Sequence, residues 1–391
     1  MVGPVPECPV CKSAMIPRGQ LLYGLQCVSC QKIVMPLLAA VADVHLGNFR
    51  DFGGKTEADG LNARGRLTVL TLGKARDRAA ELGCRLVVCG DLFHHKRPEP
   101  AIIAHAQMAL NRARVAIIPG NHDTIDATAM GGNTACATVG QQAVVYDNAD
   151  WTQPQEDTAI YYVPFDARMP MAQFLEERLH KQGAPFKQQA LVTHVGVVDD
   201  NSPPWLRDAG DAIHKDRLFD LMEREDIVVA FVGNYHQHRE WGRNGRKIVQ
   251  IGALNPTGFG DAGLEGYGGL AVWYGGTNVV WESVPGPRFV RHKNVSSMPP
   301  KKPDGCTVFV RADRGTMHFV DVESNAAYYD GYEEVDPEPS FVEAQDLAKP
   351  DRLVEGAEAA LEEYVSKMPL PEGLGRAEVL DMVKSLWRRA T

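Results

Sequence analysis

Five short polar motifs, each directly after an apolar run, carry side chains able to bind and polarise metal ions. In chain order they are "ADVHLG" with Asp43 and His45, "CGDLFHH" with Asp91 and His94, "PGNHD" with Asn121, His122 and Asp123, "VTHVG" with His194, and "FVGNYHQHRE" with His236 and His238. Carboxylates, imidazoles and an amide oxygen are the donor set for two divalent, moderately hard ions such as manganese or iron. Asp91 can bridge such a pair through separate oxygens. Two bridged ions lower the pKa of a shared water, and the hydroxide so made can attack phosphorus in line. His122, beside Asn121, is free to give a proton or hydrogen bond to the leaving oxygen.

Each motif alone has a plainer reading. Asp43 and His45 fit a turn, Asp91 a helix cap, and His194 a hydrogen-bonded core histidine. "GNHD" is rarer, arising by chance on the order of once in several hundred to a thousand chains of this length. Five motifs in order, all at the ends of apolar runs, remove coincidence as an explanation.

Cys8, Cys11, Cys27 and Cys30 form two C-x2-C pairs whose spacing suits one structural zinc ion held by four thiolates. The remaining four of the eight cysteines, Cys84, Cys89, Cys136 and Cys306, are scattered and read as core or partly buried thiols.

The elements that must position these residues alternate along the chain. "IVMPLLAAVADVH", "RLVVCGD", "RVAIIPGNHD", "QALVTHVG", "DIVVAFVG" and "KIVQIGAL" read as strands. "RGRLTVLTLGKARDRAAELG", "PAIIAHAQMALNRA" and "HKDRLFDLMERE" read as helices. This alternation predicts a layered α/β fold with polar residues at strand ends, where α/β sites lie. The expected divisions are a zinc ribbon over 1–33, a main domain over 34–290, a β-rich module over 291–340 and two amphipathic helices over 341–391. In that module "CTVFVRADRGTMHFVDVE" reads as a hairpin. One tail stripe holds Leu353, Ala357, Leu361, Tyr364 and Met368; the other holds Val379, Met382, Val383, Leu386 and Trp387. The two helices either pack on the main body or face a partner.

The composition is that of a globular protein, 44% hydrophobic and 23% charged over 391 residues. No apolar run is long enough for a membrane span, and no export signal opens the chain, so a cytoplasmic location is expected. A net charge of −9 does not advertise nucleic-acid binding, although bound metal supplies local positive charge.

"DVHLG", "GDLFH" followed by "KRP", and "GNHD" resemble the calcineurin-like metallophosphoesterase superfamily, and within it the SbcD-type double-strand-break repair exonucleases. The likeness covers roughly 36–290, and the following β module looks like the family's capping domain. It implies a β-sandwich flanked by helices and two Mn2+ ions or similar divalent metals. Asp43, His45, Asp91 and the last histidine of the closing motif would hold one; Asp91, Asn121, His194 and the preceding histidine would hold the other. It also implies that His94 positions DNA, and that an SbcC-type ATPase subunit is the partner of the C-terminal helices; a homodimer is left open.

The closing motif departs from the usual G-H-x-H, since Asn234 follows Gly233. Counting from glycine makes Asn234 and His236 the ligands; counting on H-x-H makes them His236 and His238. Imidazole is the better donor, which favours the second register. The expected activity is metal-dependent DNA cleavage; Lys96, Arg97, Arg239 and Arg243 either contact backbone phosphates or, the commoner case for each alone, form a solvated rim, and Trp205 is expected to pack internally rather than against DNA. A small-molecule phosphodiesterase or phosphoprotein phosphatase shares the metal motifs, and a silent scaffold would have lost ligands.

Overall fold

Apolar side chains at alternate strand positions build two sheets that share one core. In the computed structural model the residues described are 34–50, 53, 55–111, 114–155, 157–179, 186–258 and 268–287, with the backbone alone of 15–17, 25–27, 33, 288–292, 307–313 and 333–335. The chain divides into two compact units, 1–312 with 317–333, and 313–316 with 334–391. Everything below concerns the first.

Three short strands, β1 (Met15–Pro17), β2 (Leu25–Cys27) and β3 (Ile33–Val34), pair antiparallel near the N-terminus. The thiols of Cys8, Cys11, Cys27 and Cys30 lie outside the described residues, as do the C-terminal helical pair and most of the 291–340 module.

Next come β4 (Leu38–Val41), α1 (Ala63–Glu81), β5 (Arg85–Cys89), α2 (Pro100–Leu110), β6 (Val115–Ile118) and β7 (Val144–Val145). Asn62 caps α1 by accepting from the Gly65 N–H at 2.8 Å, and Pro100 opens α2 where a missing N–H costs nothing. Strands β4 to β7 are parallel neighbours. A second run contains β8 (Asp150–Gln155), β9 (Thr158–Val163), α3 (Met171–Leu179), β10 (Gln188–His194), β11 (Gly196–Val198), α4 (Pro204–Arg207), β12 (Ala212–His214), α5 (Lys215–Arg224), β13 (Val229–Gly233), β14 (Arg239–Arg243) and β15 (Arg246–Gln250). The chain then returns to the first sheet through the hairpin β16 (Gly269–Trp273) and β17 (Val279–Ser283), with β16 antiparallel to β4.

The two six-stranded sheets have the orders β17-β16-β4-β5-β6-β7 and β14-β15-β13-β10-β9-β8. Leu38, Ala40 and Val87 of the first meet Ile160, Tyr162, Val192 and Phe231 of the second in a shared core. Their alternate neighbours Ala39, Val41, Leu86 and Val88 pack under Leu72 and Ala75 of α1 and Ile102 and Ala106 of α2. On the far side, Leu191, Ala230 and Ile248 pack under Phe174 of α3 and Leu218 and Met222 of α5. The result is four layers, helix, sheet, sheet and helix. Covering both faces of each sheet explains why the central strands read as unbroken apolar runs. Each large side chain buried here contributes roughly 1.5–3 kcal/mol.

Beyond the main domain, β18 (Pro287–His292) pairs in parallel with β19 (Thr307–Asp313). The described part of the expected hairpin "CTVFVRADRGTMHFVDVE" therefore pairs with a preceding strand. Its second half lies outside the described residues. Among the described residues, no helix is long and apolar enough to cross a membrane.

Candidate metal centre

All five motifs sit at carboxyl ends of parallel strands. Asp43 and His45 follow β4, Asp91 follows β5, Asn121 and His122 follow β6, His194 closes β10, and Gly233 closes β13. Backbone bonds zip the first two loops together. Val44 and His45 donate to the Asp91 carbonyl, Leu46 to that of Leu92, and His94 to that of Leu46, all at 2.8–3.0 Å. Asp43, His45, Asp91 and Asn234 hold positive φ (50°, 49°, 53° and 88°), a region that costs a non-glycine residue about 1–3 kcal/mol. Four such residues at one place mark where backbone comfort yields to side-chain placement. Gly120 is needed here because an added Cβ would stand 2.1 Å from the Asp91 Oδ1.

Three overlapping donor groups result, each bringing ligand atoms within 4.8 Å of one another: Asp43, His45 and His236; Asp43, Asp91 and His194; and His45, His94 and His122. The His45 and His236 Nε2 atoms face each other at 3.3 Å. His194 donates from Nδ1 to the Cys89 carbonyl at 2.9 Å, which turns its Nε2 toward Asp91 Oδ2, 3.5 Å away. Asn121 Oδ1 lies 2.9 Å from that same Nε2. Turned over, its amide nitrogen would instead meet His194 Nε2 at 2.9 Å and the Asp91 oxygens at 3.0 and 3.2 Å. With the His194 Nε2 unprotonated, as a metal ligand must be, that oxygen faces only acceptors. Such a convergence of lone pairs is what a divalent cation stabilises, and the donor chemistry fits two.

His238 is not brought into these groups. Its ring lies 5.1 Å from that of Trp281, and its Nε2 is 3.8 Å from Glu240. Tyr235 explains the local path. Its ring packs so tightly on Gly196 that a Cβ there would stand 2.3 Å away, so the chain pivots and delivers His236 to His45. Asn234 stands at the position after glycine, with its backbone N–H 3.1 Å from both Asp43 oxygens. Its carboxamide nitrogen donates to the Asp211 carbonyl and carboxylate at 3.2 and 3.0 Å. The geometry therefore brings His236 to the donors and leaves His238 apart from them, while the Asn234 side chain is engaged by Asp211.

Residues 37–251 match the calcineurin-like phosphoesterase family. The chain belongs to that family. Among solved structures, a putative 5′-nucleotidase from Staphylococcus aureus is 15% identical over 63% of this chain, with a TM-score of 0.38, and this chain spans 52% of its length. A phosphopantetheinyl hydrolase from Mycobacterium tuberculosis is 13% identical, covering 60% of this chain and 91% of its own, with a TM-score of 0.37. A purple acid phosphatase from yellow lupin seeds is 13% identical, covering 63% and 50%, with a TM-score of 0.39. The comparison with curated proteins finds no match.

Membership of the calcineurin-like phosphoesterase family brings with it metal-dependent phosphoester hydrolysis, and the gathered aspartates and histidines are the candidates for holding the metal. Bound there, divalent ions would supply an activated water and neutralise charge on the phosphoryl group. The protein's own electrostatics prepare the site. Burial raises the Asp43 carboxyl to about 6, against the pull of His194 and His236. Asp91 is equally buried, yet the His194 charge and hydrogen bond hold it well below the usual carboxylate range. His194 is likewise buried, but Asp91 lifts its pKa to about 10. Burial pushes His45 well down, keeping its imidazole neutral and ready to ligate.

His122 and His94 stand beside the donors. The His122 Nδ1 donates to the His94 carbonyl at 2.9 Å, and its ring centroid is 5.0 Å from that of His45. With its Nδ1–H held by that carbonyl, the ring has Nε2 left for a substrate, and Nε2 can give a proton to a leaving oxygen only from the doubly protonated ring. Burial, with His95 and His122 nearby, lowers His94 to about 4. His94 also lines a cavity of about 780 Å3 together with His95, Arg50, Arg64 and Arg97. His95 is exposed, its ring 4.5 Å from that of His94. Trp205 does not pack internally as expected: it is 74% exposed on one-turn α4, a helix too short to offer a second packed face.

One structural role was missed in the sequence. The buried Asp123 carboxylate accepts from the N–H groups of Leu92, Phe93 and Gly120 at 3.0, 2.9 and 3.1 Å. It staples the loop bearing Asp91 to the loop bearing Asn121. The only signal was its place at the end of "GNHD".

Proposed function

We propose that this phosphoesterase is a DNA nuclease of the SbcD kind, hydrolysing phosphodiester bonds with two Mn2+ or similar ions. The observation that supports it is the cavity beside His94, whose lining gathers Arg50, Arg64 and Arg97 in a chain of net charge −9. A polyanion gains from such a patch, whereas the chain's average surface repels it. Asp43, His45, Asp91, Asn121, His194 and His236 hold the ions, His122 protonates the leaving oxygen, and His94 positions the strand. The reading includes an SbcC-type ATPase on the C-terminal segment and a structural zinc on Cys8, Cys11, Cys27 and Cys30.

The test is cleavage of duplex and single-stranded DNA by the purified protein with manganese, with a chelator and His122→Ala as controls. Cleavage that both controls abolish supports the reading. Turnover of a simple phosphodiester without DNA cleavage would instead favour a small-molecule substrate.

A further inference from the structure

The cavity beside the centre is built. Asn62 donates from Nδ2 to the Phe49 carbonyl at 2.7 Å and from its backbone N–H to Asn48 Oδ1 at 2.9 Å, and Asn48 donates from Nδ2 to Glu99 Oε2 at 2.9 Å, which fixes the lining. The Arg64 guanidinium lies 3.9 Å over the Phe49 ring and donates to the Thr257 carbonyl at 2.6 Å, so a positive charge is locked into the wall, only 2% exposed. Arg50 and Arg97 are exposed at the same cavity, and neither meets a carboxylate among the described residues. Among the described residues the wall's one carboxylate, Glu99, is engaged by Asn48.

The other arginines expected near phosphate are differently placed. Arg243 is enclosed by Asp216, Asp220 and Glu223, and Arg239 binds Gln237 and approaches Asp199. A guanidinium so paired must give up a carboxylate before taking a phosphate. Arg50 and Arg97 need not.

We propose that this cavity is a second-phosphate subsite. Arg50 and Arg97 take the phosphate neighbouring the one attacked at the centre, with His94 on the boundary between the two positions. The ligand class is then a phosphodiester chain carrying at least two phosphates, and an isolated ester leaves the cavity empty. The inference deepens the nuclease reading and rests on it for the identity of the attacked group.

The experiment measures binding of a fluorescein-labelled pentathymidylate by anisotropy to the manganese-loaded full chain, in a His122→Ala background that blocks turnover. Arg50→Ala and Arg97→Ala should each weaken binding roughly tenfold and reduce the salt dependence by about one phosphate contact. Arg97→Lys should recover part of the loss, and Arg243→Ala should stay within about twofold of the parent. Unlabelled thymidine, lacking phosphate, should not compete. Affinities of the Arg50 and Arg97 variants equal to that of Arg243→Ala would overturn the subsite, as would competition by thymidine or no binding by the parent. Cleavage is read separately in the His122-containing protein. If the oligonucleotide binds through these arginines but is never cut, the subsite stands and the nuclease reading falls.

Discussion

The backbone N–H of Asn234 donates to both carboxylate oxygens of Asp43, 3.1 Å from each. Asp43 follows β4 in one sheet and Asn234 follows β13 in the other, so a candidate ligand from one sheet is aimed by the main chain of its neighbour. His194 repeats the device by donating across to the Cys89 carbonyl. The centre is a seam between sheets, and its geometry depends on how they dock.

The two histidines of the closing motif should separate cleanly. His236→Ala removes a donor facing His45 and should cost roughly 100-fold or more in affinity for one manganese ion, since even losses behind a ligand cost 10–100-fold. His238→Ala should leave both metal equivalents in place and only lower the melting temperature, through lost packing on Trp281. Isothermal titration with manganese checks both.

Asn234→His should strengthen metal binding. The amide nitrogen is occupied by Asp211, which leaves the carboxamide oxygen as the end able to meet a cation. An imidazole is the better donor for zinc, so zinc affinity should rise by roughly tenfold while magnesium gains little. Unchanged zinc affinity in competition with a chromophoric chelator would count against Asn234 as a contributor.

Asp123→Ala should destabilise the fold by roughly 2–5 kcal/mol, because three buried N–H groups lose a charged acceptor at once. Urea unfolding measures it. Metal affinity should fall as well, since the loops of Asp91 and Asn121 lose their common anchor.

The metal-free protein should lose stability as pH rises above neutrality. His194 is lifted to about 10, so its contribution is fully present below the unfolded value of about 6.5 and is lost as pH rises through 10. Melting curves between pH 7 and 8.5, with wild type referenced to His194→Gln, should show the difference shrinking as pH rises. A flat difference would mean that the Asp91–His194 pair is not charged in the folded state.

The sandwich was legible because its central strands are unbroken apolar runs and its candidate ligands stand at their ends. Asp43, His45, Asp91, Asn121 and His194 needed only that pattern. His236 against His238 did not yield to it, since both share the i, i+2 spacing; Tyr235 seating on Gly196 decides, and that contact joins distant segments. Strand β8, "DWTQPQ", gave no signal because an edge strand with mostly exposed residues and a proline need not alternate. Trp205 misled because hydrophobicity alone predicts burial, and nothing in "SPPWLRD" reveals a helix of one turn.

His45 and His236, whose ring nitrogens stand 3.3 Å apart, are 191 positions apart in the chain. At ribosomal speeds the second is made about 10 s or more after the first. By the end of that interval the growing polypeptide holds Asp43, His45, Asp91, Asn121 and His194 with β8 to β10, but not yet the β13 end that carries His236. Assembly of the candidate centre is therefore tied to the later part of synthesis: its donor set is complete only once β13 and the loop bearing His236 have joined the second sheet.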